Sequence, residues 1–523
     1  MTSLEESVRQ ARLLREHYLR DPHRPGYHLI VPEGRHHPVD PNGALYWKGR
    51  YHLCYIYQHD GQHYWGHVSS RDLVHWRHHL PALCPDSDDG PNDGIFSGGA
   101  FAEPEQGRAV ISYWKYSAHS GFCLATSTDE NLDTWIKHPG NPLIPERPGQ
   151  RGIAVVKGPD GAECLVSGAD PTGIWKHDGR YYVATGNLIV LHEEGLKKNN
   201  PALQGDTLYL FESEDLTHWR YLGEFYKSDR RWTGANEDCM CADFFPLPAS
   251  PAGGTPSSRH MLLFISHNRG CQYYIGNYQG NRFEPLQHGR MSWVDHRFGP
   301  PESLADPQGR RIMWAWLVDS RVGCPPDSAE EQAAKASGWS GVMSLPRVLW
   351  LGDDGTLRMR PVDELKTLRY RPVRKQRMSL ADGREIVWKN IRGRSFEIEA
   401  EIALGAARRV ELSVLCSPDG AERTVISYDA DQQAFQMDTR RSGPLQGAAV
   451  VESAPLAMKD GETLKLRVFV DGCIVEAFAN DRQAMARHAF ASPDSTEVRF
   501  SAAGGQADIT GLKAWHMMPS NPW

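Results

Sequence analysis

A chain of 523 residues exceeds what a single hydrophobic core organises, so two domains are expected. Lys and Arg number 58 against 65 Asp and Glu, giving a net charge of −7 with no basic run or stripe, which argues against nucleic acid and anionic membrane as partners. No apolar run approaches the ~20 residues needed to span a bilayer.

Residues 1–24 read as a short amphipathic helical extension. Leu4, Val8 and Leu14 fall on one face, with Leu13 and Tyr18 beside it. The stretch has no apolar core of a secretory signal, so the chain as given is expected to be cytoplasmic. From residue 25 to about 350, strand signals dominate. Runs such as 44–58, 173–186, 260–267 and 310–318 are rich in Tyr, Val, Ile, Phe and Trp and are bounded by Gly, Asp, Asn and Pro. The first two contain hairpin turns, Lys48-Gly49 and Asp178-Gly179.

One pattern recurs in this region. Ser70-Arg71-Asp72-Leu73-Val74-His75-Trp76 returns as Ser127 followed by Asn131-Leu132-Asp133-Thr134-Trp135. It returns again as Ser213-Glu214-Asp215-Leu216-Thr217-His218-Trp219. Each copy follows a strand signal, and the unequal spacing fits a propeller with loops of different length. Residues 351–370 read as a polar linker with a short helix. Residues 371–523 then alternate apolar and polar positions with frequent turns, the pattern of an antiparallel sandwich. Asp471-Gly472 is a strong hairpin signal there.

The 10 cysteines are scattered, and Cys239-Met240-Cys241 lacks a second pair or a His at zinc spacing. The adjacent pairs His36-His37 and His78-His79 are weak ligand pairs, since strand neighbours point to opposite faces. No metal and no organic cofactor is expected.

Three acidic clusters stand out in the first domain: Asp40-Pro41-Asn42-Gly43, Ala169-Asp170-Pro171, and Glu237-Asp238 running on to Asp243. Asp-Pro and Asp-Gly are also turn formers, and composition alone favours that reading. A propeller, however, converges the inner strands of its blades on one axis. Carboxylates far apart in sequence can meet there, and glycoside hydrolysis needs two of them flanking the scissile bond.

These motifs resemble those of glycoside hydrolase family 32, the invertases, inulinases, levanases and fructosyltransferases, from about Tyr27 to Trp515. Asp40-Pro41-Asn42-Gly43, with Tyr55-Ile56-Tyr57-Gln58 after it, is similar to the family's first motif. Trp65-Gly66-His67 and Phe96-Ser97-Gly98 resemble two further stretches, Ala169-Asp170-Pro171 falls where the family has Arg-Asp-Pro, and Cys241-Ala242-Asp243-Phe244-Phe245 matches the tail of Glu-Cys-Pro-Asp. The sandwich hairpin from Phe469 to Asp481 resembles the family's own. The resemblance implies an all-β fold, a five-bladed β-propeller followed by a C-terminal β-sandwich. It implies a retaining hydrolase that releases terminal β-fructofuranosyl units from sucrose, fructo-oligosaccharides or fructans. The alternatives are a fructosyltransferase on the same scaffold and a non-catalytic fructoside-binding protein.

The implied roles are Asp40 as nucleophile and Asp170 as transition-state stabiliser. Asn42, Gln58, Trp65, Phe96 and Ser97 would line the sugar subsite. Three departures bear on these roles. His37-Pro38-Val39 replaces the Trp-Met-Asn before the nucleophile, Ala169 replaces the Arg before the second Asp, and strict register puts Met240 where the acid/base Glu belongs. Glu237 is the expected acid/base, with Asp238 as substitute and Glu302 a distant third, one of them brought inward by a bulge.

Overall fold

The computed structural model describes residues 4–188, 200–321 and 324–521. They form two compact units, one of His36–Trp316 with Pro346–Arg358, the other of Met1–Arg35, Leu317–Leu345 and Met359–Trp523.

The first unit holds five antiparallel meanders. The first is Pro41–Trp47, Arg50–His59, Gln62–Ser70 and Trp76–His78. The second is Gly94–Glu103, Arg108–Tyr116, Gly121–Ser127 and Ile136–Lys137. The third is Trp175–His177, Arg180–Thr185, Thr207–Ser213 and Arg220–Lys227. The fourth is Met240–Pro248, Pro256–Ser266, Gly270–Gln279 and Arg282–Arg290. The fifth is Phe298–Ala305, Arg311–Leu317, Arg347–Leu351 and Leu357–Pro361. A hairpin set of Ile144–Arg147, Gln150–Lys157 and Glu163–Val166 is inserted between the second and third.

The meanders close in a ring. The leading strand of the first packs against the leading strands of the second and fifth, and that of the fourth packs against that of the fifth. Between the second and third, Ser112 Oγ donates to the Thr172 carbonyl at 2.7 Å. Between the third and fourth, the Asn187 N–H donates to the Cys239 carbonyl at 3.0 Å. Five meanders in cyclic contact make a five-bladed propeller, as expected. The leading strands of the first, fourth and fifth blades are buried almost throughout.

The recurring motif proves to be one turn used three times. Leu73, Leu132 and Leu216 all take left-handed backbones, with φ of 64°, 58° and 66°, and all three side chains are buried. A left-handed Leu is strained by on the order of 1 kcal/mol. Burial of its side chain and local capping offset that cost. Asp72 Oδ1 accepts from the Val74 and His75 N–H groups at 3.1 and 2.8 Å. Asp215 Oδ1 accepts from Thr217 and His218 at 2.8 and 2.9 Å. Each turn links the third strand of a blade to its outer edge.

The second unit contains a seven-stranded and a six-stranded sheet, both antiparallel, as expected of a sandwich. The hairpin at Asp471-Gly472 joins Leu464–Asp471 to Ile474–Ala479. Asp471 does more than turn the chain. Its carboxylate accepts the backbone N–H groups of Gly26, Tyr27 and His28 at 2.6, 2.8 and 2.8 Å. Residues 351–370, read as a polar linker, hold the strand Leu357–Pro361 and a short 3-10 helix, Asp363–Leu368. The N-terminal helix spans Leu4–Arg20. Of its apolar positions only Tyr18 is buried, while Leu4, Val8, Leu13 and Leu14 stay exposed, so the helix docks through Tyr18 rather than through the expected leucine face.

Candidate active site

The start of each leading strand delivers side chains to one end of the propeller axis. Asp40 immediately precedes the leading strand of the first blade and is 9% exposed. Ser97 lies just inside the second, where the ladder shifts register between Ile95 and Gly98. Its hydroxyl donates to Asp40 Oδ2 at 2.9 Å. Asp170 precedes the third blade and is 6% exposed, with φ of 42°. Cys241 begins the fourth blade, with φ of 47°. Its thiol donates to Asp170 Oδ2 at 3.3 Å and reaches toward Asp40 Oδ2 at 3.9 Å. Asp40 and Asp170, 130 positions apart in the sequence, thus share one thiol. Two left-handed non-glycine residues at one cluster are strain held by the surrounding sheet.

Burial sets the electrostatics. It pushes the Asp40 carboxyl up to about 6, against the Ser97 hydroxyl, the positive charge of His267 and the Cys241 thiol, which all favour the ionised form. Asp170 rises to about 7, chiefly by burial and then by the negative charge of Asp40. The charge of Asp40 thus adds to burial in holding the Asp170 carboxyl up.

The implied subsite residues divide. Asn42 holds the loop of the nucleophile: its Nδ2 donates to the Asp40 carbonyl at 2.7 Å, and its Oδ1 accepts from the Gly98 N–H at 3.1 Å. Gln58 and Phe96 are half-buried beside one imidazole, Gln58 Nε2 lying 2.8 Å from His63 Nε2 and the Phe96 ring 4.4 Å from the His63 ring. Trp65 was expected to line the subsite and does not. It is completely buried, and its indole N–H donates to the Phe96 carbonyl at 3.0 Å, so it supports the floor from below.

The acid/base candidates lie around the fourth blade. Met240 is buried at 1% exposure, and its thioether has no proton to give. The expected register shift exists, but it falls between Met240 and Asp243 and turns Cys241, rather than Glu237 or Asp238, toward the paired carboxylates. Glu237 is 4% exposed. It accepts from the Gly234 N–H at 3.0 Å, from Gln272 Nε2 at 3.1 Å and from Arg290 Nη2 at 3.3 Å. Asp238 is 1% exposed, and its carboxylate holds His267 through both the backbone N–H and the Nδ1 ring nitrogen. Glu302 is deeper along the axis, accepting from the Ala44 N–H at 2.9 Å. Burial and the charge of Asp243 keep its carboxyl well above the usual range.

Three contributors escaped sequence reading. Cys241 stood out in the sequence only as half of a C-x-C pair and as part of a motif tail. His267 lies in an ordinary-looking turn, His267-Asn268-Arg269-Gly270. Glu146 comes from the inserted hairpin and accepts from the Trp114 indole N–H at 2.8 Å and the Gly152 N–H at 2.6 Å. Burial lifts Glu146 to about 7, and Asp170 adds to that rise. The sequence carried no signal for His267, because a register shift between Met240 and Asp243 is what sets it opposite Asp238.

Away from this site, His67, His79 and Asp133 bring ligand-type atoms within 4.8 Å of one another. Both His79 nitrogens already have partners, Ser69 Oγ at 2.7 Å and Asp133 Oδ1 at 2.6 Å, which fits a hydrogen-bonded brace between the first two blades.

Residues 34–361 match the glycosyl hydrolases family 32 N-terminal domain, and residues 364–516 match the family 32 C-terminal domain. The levanase of Bacillus subtilis strain 168 is 26% identical, over 96% of this chain and 72% of the levanase. The raffinose invertase of Escherichia coli is 28% identical, over 94% of each chain. Among solved structures, fructan 1-exohydrolase IIa from Cichorium intybus superposes with a TM-score of 0.78 at 22% identity, covering 95% of this chain and 98% of that one. The exo-inulinase of Aspergillus awamori does so at 0.74 and 20% identity, over 96% and 99%. These likenesses place the fold with those proteins.

Proposed function

Because the chain belongs to the glycosyl hydrolases of family 32, we propose that it is a retaining β-fructosidase that releases terminal β-D-fructofuranosyl units from sucrose, fructo-oligosaccharides or fructans. The observation that carries this reading is the pair Asp40 and Asp170, buried together and joined through the Cys241 thiol. Asp40 attacks the anomeric carbon and forms a fructosyl ester, which water then hydrolyses. Asp170 accepts hydrogen bonds from sugar hydroxyls. Its grip strengthens as positive charge develops on the ring, so it favours the transition state over the ground state. Ser97 holds the attacking oxygen of Asp40, and Asn42 fixes the loop that presents it. The proton for the leaving oxygen comes from the corner at 237–238. Glu237 was the first expectation. The bonds of Glu237 run within its own blade, and both oxygens of its substitute Asp238 are engaged by His267, so neither carboxylate is free to hand over the proton directly.

All 10 cysteines are free thiols, which suits a reducing compartment. The relatives named above, a levanase and an invertase, support the fructoside class without ranking its members.

A second reading has one specific observation behind it. Met240 stands where strict register expects the acid, so a binder that cleaves nothing is the rival. Product analysis separates the two. Purified protein is incubated with sucrose, 1-kestose, inulin and levan, with Asp40→Ala as control. Free fructose from the wild type alone is the expected result, and longer products would mark transfer to a sugar hydroxyl. Sugar binding with no product from any fructoside would favour the binder and sink the hydrolase.

A further inference from the structure

The turn that ends the second strand of the fourth blade carries a histidine at the same end of the axis as Asp40 and Asp170. The ladder pairs Met240 with Ile265. Continued by two residues, it sets Asp238 opposite His267. Asp238 is buried at 1%, whereas the His267 side chain above it is 52% exposed. Three contacts fix the pair. Asp238 Oδ1 accepts the His267 N–H at 2.9 Å, Oδ2 meets His267 Nδ1, and Ser266 Oγ donates to the Asp238 carbonyl at 2.6 Å. With Nδ1 committed to the carboxylate, the ring presents Nε2 outward, and among the described residues no hydrogen bond occupies it. The positive charge of His267 acts on both Asp40 and Asp170. A carboxylate that orients an imidazole and leaves its far nitrogen open is a general acid–base arrangement.

We propose that His267 Nε2 is the proton donor to the departing glycosidic oxygen, and then the base toward water, with Asp238 as its positioning residue. This rests on the retaining reading above. In the first step an Asp40 oxygen bonds to the anomeric carbon and the bond to the glycosidic oxygen breaks. The released electron pair takes the Nε2 proton, leaving neutral His267 and a fructosyl ester on Asp40. In the second step Nε2 takes a proton from water and the hydroxide oxygen bonds to the anomeric carbon. The ester bond breaks with its electrons returning to Asp40, so atoms and charge balance.

The surroundings fit both halves of the cycle. Against burial, which disfavours the charged ring, Asp238 and then Asp170 and Asp40 hold the imidazolium to about 9, so it starts protonated at neutral pH. Esterification removes the charge of Asp40. One of the fields that retain the proton is gone at the stage when the ring must act as a base. The other candidates are less suited. Glu237 is engaged by Gln272 and Arg290. Both Glu146 oxygens already accept hydrogen bonds, one each from the Trp114 indole and the Gly152 N–H.

The test uses leaving groups of different basicity. Sucrose needs a proton on its departing oxygen, whereas p-nitrophenyl β-D-fructofuranoside leaves without one. His267→Gln is expected to lower kcat on sucrose by roughly 100-fold or more, the usual size of a lost general acid, and on the aryl substrate by less than about 10-fold. In the wild type, which requires no variant to fold, the alkaline limb near 9 is expected on sucrose and absent on the aryl substrate. Asp238→Asn should move that limb to lower pH. Equal losses on the two substrates would overturn the proposal. So would a leaving-group-selective loss in Glu237→Gln or Glu146→Gln with His267→Gln still active on sucrose, or an alkaline limb shared by both substrates. A wild type that releases fructose from neither substrate overturns the hydrolase reading along with the proposal. A wild type that releases fructose while His267→Gln loses no more on sucrose than on the aryl substrate overturns the proposal alone.

Discussion

Asp40 and Asp170 differ from ordinary surface aspartates through burial, Asp170 also through the charge of Asp40, and the thiol between them moderates both shifts. Cys241 donates to the ionised carboxylates, which lowers their pKa. Replacing it with Ala removes the donor and leaves burial unopposed at that point. The acid limb of kcat/KM, set near 6 by Asp40 in the wild type, should therefore move to higher pH in Cys241→Ala. A limb that stays in place would mean that the thiol does not face the reacting carboxylates. The sequence pointed to Asp40, Asp170 and Ser97 through short stretches that resemble the family's motifs, whereas composition alone favoured turns for the two aspartates. It could not point to Cys241 as a bridge, because a backbone at φ of 47° within a register shift is what turns that side chain inward. Trp65 shows the converse. An aromatic residue beside a sugar motif invites a stacking role, yet only packing decides which face of a strand it occupies, and here that face is the core.

At the scale of strands, the site depends on how closely the leading strands approach one another. Gly99 lies against Gly173: a Cβ at position 99 would collide with the backbone of residues 172 and 173. Gly98 is as tight against Ser112 and Tyr113. Gly99→Ala must push the second and third blades apart, which is overpacking at a cost of about 1–3 kcal/mol. It should lower the unfolding temperature and reduce fructose release together, since Ser97 and Asp170 sit on the two segments displaced. Full activity with unchanged stability would show that the gap between the blades is not fixed. The motif Phe96-Ser97-Gly98 was legible as a site stretch, but the reason for the glycine that follows it was not, because Gly173, the residue that Gly99 lies against, is more than 70 positions away. The three-fold turn was legible as a turn after a strand. Its Ser and the Asp two positions on act on neighbours within a few residues, and such local chemistry survives in a single sequence. Asp72→Ala should cost about 1 kcal/mol, the usual value of a lost cap, measured by chemical denaturation. No change would mean that the left-handed Leu73 is held by packing alone.

Across the whole chain, alternation and turn signals told strand from loop and hairpin-rich propeller from sandwich. They could not tell which distant segments a strand recruits, and the N-terminal residues illustrate this. The hairpin at Asp471-Gly472 was readable, but the attachment of residues 26–28 to its carboxylate spans more than 440 positions. His28 completes that junction. It is 1% exposed, with Nδ1 2.9 Å from Asp471 and Nε2 3.3 Å from Glu476, while Glu476 also accepts the Leu345 N–H at 2.8 Å. Burial alone would drive the proton off His28. The two carboxylates outweigh burial and raise it from 6.5 to about 9. A group whose folded pKa lies above its unfolded value gives stability that is fully present below the unfolded pKa and lost as pH rises through the folded one. The His28 contribution should therefore be complete below about 6.5 and disappear as the pH passes 9. His28→Gln leaves two buried carboxylates facing a neutral partner, and breaking a buried pair in this way costs about 3 kcal/mol or more. Thermal unfolding followed from pH 6 to 10 should show the wild type losing its advantage over His28→Gln across the upper part of that range. A difference between the two proteins that stays constant with pH would mean that His28 is neutral in the folded chain and serves only as a hydrogen-bonding spacer between Asp471 and Glu476.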